Sequence, residues 1–195
     1  VGRVASPEWK ERLYDSFDSE WYAGDNLQAA IGQGRSQFTP LQLAEYCATV
    51  ANGGTRHSAS LLKSVRSYDY TEQIAEAQHE VLSTVESLPE NWAAVQEGMY
   101  LVANHPAGSA YKTFGDYYPR VAAKTGTAQI GDGKVNNAVF ICYAPYDDPQ
   151  VAVAVVVQNG NAGANIAPIA RDFLNSYFTV KTVSFTVESE LAILP

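Results

Sequence analysis

The residues with the clearest chemical potential are Lys124-Thr125-Gly126-Thr127, at the centre of the segment RVAAKTGTAQIGDG. The lysine carries a positive charge, the threonines carry hydroxyls, and the backbone N–H of Thr127 can donate to an oxyanion. Gly126 lies two residues after Lys124, so it shares a strand face with it and leaves room for a substrate against the backbone. Acyl transfer needs these groups together with a nucleophile and a base. The segment therefore predicts a substrate-binding strand and raises the question of where the serine lies.

The elements that must position this segment are strands and one covering helix. The runs RVAAKTGTAQI, NNAVFICYAPY and QVAVAVVVQNG are rich in β-formers and are separated by the short linkers GDGK and DDPQ. This pattern predicts an antiparallel meander joined by tight turns. The following segment AGANIAPIARDFLNSYF predicts a helix that ends near Phe178 and covers the sheet. Its predicted inward face consists of Ile166, Ile169, Ala170, Phe173, Leu174 and Tyr177.

Two further helices are predicted upstream of the strands. TPLQLAEYCATVANGG opens with Thr39 as N-cap, Pro40 at the first helical position and Gln42 three residues after the cap, and it closes on two glycines. Its predicted apolar stripe consists of Leu41, Ala44, Cys47, Ala48 and Ala51. A second helix is expected from about Glu90 to Asn104. The segment between the two helices favours short strands, and residues 1–35 are rich in turns.

Composition excludes several classes of function. The chain has 195 residues, with 13 Lys and Arg against 21 Asp and Glu, and its net charge of -8 argues against a nucleic-acid partner. The sequence contains no run of about 18 apolar residues, which a membrane span would need, so we expect no membrane contact from this segment. His57, His79 and His105 lack metal-ligand spacing, and no phosphate loop is present, so neither a metal nor a cofactor is expected. We expect Cys47 and Cys142 to be free and buried.

Four ordered blocks make the sequence similar to a known family. They are IGQG, TPLQLA, ANGG and AAKTGTAQ, and in this order they resemble the C-terminal half of the transpeptidase domain in class B penicillin-binding proteins. The resemblance covers about Trp21 to Phe178. It implies an α/β fold of the α+β type, with an antiparallel sheet covered by helices, as in the serine β-lactamases and penicillin-binding transpeptidases. K-T-G belongs to the signature set of penicillin-binding proteins, with S-x-x-K and S-D-N.

The sequence provides no convincing copy of the other two motifs of that set. Ser60-Leu61-Leu62-Lys63 matches S-x-x-K, but a catalytic tetrad places its serine at a helix start, and this one runs into a polar, β-leaning segment. We interpret it as a chance match. S-x-N is absent at every serine. The nucleophile is therefore expected upstream of Val1, together with the first strands of the sheet and the membrane anchor, and the isolated chain is predicted to be inactive.

The resemblance also implies a function for the parent protein. It would act at the extracytoplasmic face of a bacterial membrane, where a serine attacks D-Ala-D-Ala stem peptides of peptidoglycan and passes the acyl chain to a neighbouring amine; β-lactams would trap the acyl-enzyme. Lys124 and Thr127 are the expected catalytic residues, and Thr125, Gly126 and Thr127 the expected substrate-binding residues. The alternatives are a β-lactamase or penicillin-sensing domain, and a noncatalytic module that binds the cell wall or a partner.

Two expectations concern the organisation of the chain. Residues 1–178 are expected to form the C-terminal part of the transpeptidase domain. Residues 179–195 are expected to form a tail in which Val183, Phe185 and Val187 alternate with polar residues, as in an extra strand. The resemblance places QVAVAVVVQNG inside the sheet, flanked by strands of the N-terminal half. In the isolated chain that edge would be open, and the tail or a second copy, giving a homodimer, is expected to pair there.

Overall fold

A computed structural model describes residues 2–14, 18–131 and 133–182. The helices are α1 (Pro7–Leu13), α2 (Ala23–Ala30), α3 (Pro40–Ala51), α4 (Pro89–Asn104), α5 (Tyr111–Phe114) and α6 (Gly163–Thr182). The strands are β1 (Thr55–His57), β2 (Ser64–Arg66), β3 (Gln73–Glu76), β4 (Val81–Thr84), β5 (Ala122–Ala128), β6 (Asn137–Ala144) and β7 (Val151–Val157). None of the described helices combines the length and hydropathy that a bilayer-spanning segment needs.

The central sheet is the predicted meander. Its order is β5-β6-β7, with both pairs antiparallel. Lys124 lies opposite Ile141 and Gly126 opposite Val139, while Val139 lies opposite Val156 on β7. The mixed architecture of helices on an antiparallel sheet is thus confirmed, and β5, which carries K-T-G, lies at one side of the sheet.

Helices cover both faces of the sheet. On one face, Ala123, Phe140 and Cys142 pack in a cluster with residues of α6, namely Ile166, Ala167, Ala170 and Leu174. On the other face, Ala122, Ile141 and Tyr143 pack against Cys47 and Val50 of α3 and Met99 of α4. Successive strand residues point to opposite faces, so these two clusters assign every residue of β5 to a face.

Local signals explain the start and end of α3. Thr39 Oγ1 accepts from the Gln42 N–H at 3.2 Å, and the Thr39 N–H donates to Gln42 Oε1 at 3.0 Å. This is the capping box that the sequence predicts, and it satisfies two donors that the first turn would leave unpaired. The helix ends before Gly54, whose φ is +114° and whose absent Cβ would lie 2.6 Å from Cζ2 of Trp92. Only glycine fits there.

Several sequence predictions about the helices need correction. The buried residues of α3 are Cys47 and Val50, whereas Leu41 is exposed, so the inward face is rotated from the predicted stripe. Alanines made up most of that stripe, and their small apolar area orients a helix only weakly. In α6, Ile169 and Phe173 are half exposed, and the helix continues to Thr182.

The turn-rich N-terminal segment contains two short helices that the sequence did not predict. They are joined by Lys10 of α1, which is only 3% exposed and whose Nζ donates to Asp25 Oδ2 at 2.8 Å. The same ammonium lies 4.9 Å from the centre of the Tyr22 ring. Both helices are shorter than three turns, so tertiary contacts of this kind, rather than helix propensity, stabilise them.

Residues 55–84 form a narrow antiparallel ribbon, in which β1 pairs with β4 and β2 pairs with β3. The short strands predicted for this segment are therefore confirmed. The extra strand predicted from Val183 onward lies outside the described residues, and the division of the chain at residue 178 stays a prediction.

Candidate active site

The candidate site is the outer edge of β5, the side that faces away from β6. Thr127 lies opposite Ala138, and its carbonyl accepts a hydrogen bond from Gln33 Nε2 at 2.8 Å. In an antiparallel ladder the N–H and C=O of one residue point to the same side. Since Gln33 is not part of β6, the N–H of Thr127 also points to the outer edge. This is the donor that the sequence predicted for an oxyanion.

Lys124 brings its charge to the same edge. Its side chain is exposed, and Nζ donates to the carbonyl of Thr125 at 2.6 Å. Thr125 and Thr127 are two residues apart, so their backbone groups share one edge of the strand. An ammonium and a backbone N–H therefore lie along a single edge, where an anionic group could bind both.

Thr125 points to the face that α6 covers. Its Oγ1 lies 2.8 Å from Oγ of Ser109, and either hydroxyl can donate. Ser109 was not among the residues that the sequence singled out. Because strand residues alternate, Thr125 and Thr127 direct their side chains to this face, whereas Lys124 and Gly126 direct theirs to the other.

Gly126 has neighbours close on both faces. A Cβ on Gly126 would lie 3.3 Å from Cβ of Val139, its partner across the ladder. On the opposite face, a Cβ on Gly163 of α6 would lie 2.7 Å from the Gly126 nitrogen. Substrate clearance is the reason for a glycine here that the sequence analysis proposed. Packing against Val139 of β6 supplies a second reason, whereas the contact with α6 constrains position 163 rather than position 126.

Gln33 is the other contributor that sequence reasoning missed. Besides its bond to Thr127, its Oε1 accepts from the Gln129 N–H at 3.3 Å. The flanking Gly32 and Gly34 have φ of +75° and +87°, so the IGQG block is a tight turn with Gln33 between two left-handed residues. A polar residue held between two such glycines was the signal available in the sequence.

The tetrad Ser60-Leu61-Leu62-Lys63, which the sequence analysis interpreted as a chance match, lies outside any helix. Ser60 is exposed, and its Oγ accepts from the Leu62 N–H at 3.1 Å, a local turn contact. A helix start that would direct Lys63 onto the serine oxygen is not formed by these residues. This geometry agrees with a chance match.

Two other predictions concern cysteines and metals. Cys47 and Cys142 are free and fully buried, as predicted. Burial raises the pKa of the Cys47 thiol to about 12, and burial, with a smaller contribution from Cys47, raises the pKa of Cys142 as well. In the part of the chain that the structure describes, no three His, Cys, Asp or Glu residues converge to hold a metal ion.

Comparison with known proteins supports the sequence resemblance. The family model described as the penicillin binding protein transpeptidase domain matches residues 13–175. The peptidoglycan D,D-transpeptidase MrdA of Escherichia coli K12 is 31% identical in an alignment 188 residues long that covers 89% of this chain. Penicillin-binding protein 2A of Bacillus subtilis is 35% identical in an alignment 178 residues long that covers 82% of the chain. The chain spans 29% and 24% of the lengths of these two relatives.

Solved structures give the same answer. PBP2 of Pseudomonas aeruginosa, crystallised in complex with WCK 5153, is 31% identical and superposes with a TM-score of 0.73 over 90% of this chain and 38% of that one. Penicillin-binding protein A of M. tuberculosis, in an imipenem acyl-enzyme complex, is 32% identical with a TM-score of 0.64, over 77% of this chain and 33% of that one. The chain therefore belongs to the transpeptidase-domain family of the penicillin-binding proteins, as its class B motifs predicted.

Proposed function

We propose that the protein carrying this chain is a peptidoglycan D,D-transpeptidase, and that the outer edge of β5 binds its substrate. The observation that carries the proposal is the placement of the Lys124 ammonium and the Thr127 N–H along one strand edge. The similarity to relatives named peptidoglycan D,D-transpeptidase supports the same reaction. We place the protein at the extracytoplasmic face of a bacterial membrane, where its substrate is found.

The proposed reaction has two acyl-transfer steps. A serine oxygen attacks the carbonyl of the D-Ala-D-Ala amide, the C–N bond breaks, and the terminal D-Ala leaves with the proton that the serine lost. An amine of a neighbouring stem peptide then attacks the resulting ester, forms the cross-link and restores the serine. We propose that the serine and its S-x-x-K lysine lie outside this chain. Ser60-x-x-Lys63 lies in no described helix, and the other described match, Ser109-x-x-Lys112 at the start of α5, places its serine hydroxyl against Thr125 rather than against its lysine.

Each residue of the K-T-G segment has a proposed task. The Thr127 N–H donates to the oxyanion that forms during both attacks. Lys124 stabilises the substrate carboxylate and the proton relay, while Thr125 and Thr127 contribute hydroxyls to carboxylate binding. Gly126 keeps the strand free of a side chain beside the substrate. A β-lactam would occupy the same edge and acylate the same serine.

Ser109 bears on the task of Thr125. Its Oγ already lies 2.8 Å from Thr125 Oγ1, so Thr125 must either accept from Ser109 while donating to substrate or exchange partners when substrate binds. A hydroxyl can donate once and accept twice, so the first arrangement needs no rearrangement. Ser109 would then orient the Thr125 hydroxyl for the carboxylate.

The test is acylation of the full-length protein by a fluorescent penicillin. We expect Lys124→Ala to lower the acylation rate by about a hundredfold or more, because a preorganised positive charge is lost where the substrate charge lies. Lys134→Ala is the matched control, since Lys134 lies in the exposed turn between β5 and β6. Equal rates for wild type and Lys124→Ala would refute the site, and an equal fall for Lys134→Ala would indicate general charge rather than position.

Two alternatives are separated by simple assays. A β-lactamase would release hydrolysed penicillin with repeated turnover, whereas a transpeptidase or a penicillin sensor would retain one acyl group per molecule. A noncatalytic module would show no acylation in the full-length protein.

For the isolated chain we also propose a homodimer through the outer edge of β7, which pairs only with β6 among the described strands.

A further inference from the structure

The IGQG turn contacts the K-T-G strand across a large sequence separation. Gln33 and its two partners, Thr127 and Gln129, lie 94 and 96 residues apart in the chain. The carboxamide donates to one backbone carbonyl at 2.8 Å and accepts from one backbone N–H at 3.3 Å. Both groups belong to the outer edge of β5 and the residue just past its end at Ala128.

These two contacts are the ones that a neighbouring strand would make. In an extended chain, the C=O of one residue and the N–H two residues later point to the same side, and in a parallel pair one residue of the neighbouring strand bonds to both. A glutamine side chain ends in the same donor and acceptor pair as a peptide group. Gln33 therefore continues the sheet by a single amide where β5 would otherwise end unpaired.

The backbone of Gln33 is itself fixed by a contact with α2. Its backbone N–H donates to the carbonyl of Gln28 at 2.9 Å, which ties it to the last turn of α2. The first turn of α2 is fixed by the ion pair of Asp25 with the buried Lys10 at 2.8 Å. A continuous set of contacts thus runs from the buried lysine through α2 to the end of β5.

We propose that Gln33 is a positioning residue for acyl transfer, holding the end of β5 so that the Thr127 N–H faces the reacting carbonyl. The proposal rests on the proposed function of the β5 edge. Fixing the Thr127 carbonyl and the Gln129 N–H restrains the backbone on the C-terminal side of Thr127, so the adjoining N–H keeps one direction. An oxyanion donor acts only when it is aimed at the position that the oxyanion will occupy.

The proposal predicts a specific kinetic defect. In the full-length protein, Gln33→Met removes both hydrogen bonds at nearly constant volume, and Gln33→Asn keeps the amide but is one methylene too short to span both partners. We expect both variants to lower the rate constant for acylation by saturating fluorescent penicillin by about tenfold or more, because small displacements of aligned groups cost large factors in rate. The dissociation constant of the pre-acylation complex should change less than twofold, since Lys124 still binds the carboxylate.

Two measurements separate positioning from general stability. Gln37→Met, at an exposed glutamine four residues later, is the control and should match wild type. Amide hydrogen exchange should quicken at Gln129 in both Gln33 variants but stay unchanged at Ile141 of β6, which lies between β5 and β7, and the melting temperature should shift no more than in the control.

The outcomes are distinguishable from failure of the proposed function. If wild type is acylated and Lys124→Ala is not, the β5 edge is the site. Acylation of Gln33→Met at the wild-type rate would then overturn the Gln33 proposal alone. A fall in rate that accompanies a large drop in melting temperature, with faster exchange at Ile141 as well, would assign Gln33 a structural task only and would also overturn the proposal. If wild type is not acylated, the proposed function itself fails.

Discussion

At the scale of residues, the edge of β5 matters more than its faces. Lys124 and Gly126 alternate with Thr125 and Thr127 between the two faces, so no single face presents all four residues. The backbone groups of Thr125 and Thr127 share the outer edge, and the Lys124 ammonium already contacts it. The chemistry proposed for this segment therefore depends on backbone direction as much as on side-chain type.

The buried cysteines give a prediction about reactivity. Because burial raises the pKa of Cys47 to about 12, almost no thiolate exists at pH 8, and the thiol is also shielded from reagents. We expect neither cysteine to react with iodoacetamide in the native protein, and both to react after unfolding in guanidinium. Because the pKa of Cys47 is higher in the folded than in the unfolded state, the free energy of unfolding should fall as the pH rises above the pKa of a free thiol. Rapid native alkylation at either position would contradict the burial described here.

Part of the candidate site could be predicted from the sequence. K-T-G is a local signal, since Lys124 to Thr127 need only be adjacent to be recognised. The contacts of Gln33 with Thr127 and of Ser109 with Thr125 are set by the packing of separate elements, and a single sequence carries no record of which distant residues meet. IGQG was recognised as a block, but its contact with β5 was not.

At the scale of elements, α6 and β5 meet at two glycines. A methyl group on Gly163 would overlap the Val139 carbonyl oxygen and lie 2.7 Å from the Gly126 nitrogen. The first turn of α6 can therefore rest on the β5–β6 ladder only if position 163 has no side chain.

Gly163→Ala should therefore destabilise the protein. We expect a loss of about 1–3 kcal/mol in the free energy of unfolding, measured by urea denaturation, because the added methyl overpacks a site bounded by backbone that cannot rotate away.

Gly98→Ala is the matched control for this substitution. Gly98 is exposed within α4 and a Cβ there would meet nothing within 4 Å, so alanine should stabilise by about 0.5–1 kcal/mol through helix propensity. Equal effects of the two substitutions would show that α6 does not seat on β5 as described.

Sequence signals for elements were reliable where they were local. The capping box and proline of α3 set its start correctly, and the alternation of apolar runs gave the three strands of the sheet. The short helices α1 and α2 escaped prediction because contacts such as Lys10 with Asp25 stabilise them. The predicted inward face of α3 was also wrong. Because alanines lie on several sides of this helix, its orientation depends on the elements that pack against it.

At the scale of the whole molecule, the two outer edges of the sheet have different proposed tasks. The outer edge of β5 is the proposed substrate site, whereas β7 presents a valine-rich strand whose outer edge is unpaired among the described residues. Such an edge favours pairing with another strand. In the isolated chain, the candidates are a second copy and residues 183–195.

Deleting residues 183–195 tests both, because α6 is retained through Thr182. If the tail pairs with β7, its removal should quicken amide exchange across Val151–Val157, and light scattering should then report whether a dimer forms through the exposed edge. If a second copy already pairs there, the intact chain should have the mass of a dimer. Unchanged protection with a monomeric mass in both forms would contradict both proposals.

The central claim is that this chain supplies the substrate-binding edge of a serine acyltransferase whose nucleophile lies elsewhere in the protein. Treating the full-length protein with a penicillin, followed by intact-mass analysis and peptide mapping, tests it most directly. We predict one acyl group per molecule, on a serine outside residues 1–195, and no adduct on the isolated chain. A stoichiometric adduct on Ser60, or on any other residue of this chain, would contradict the claim.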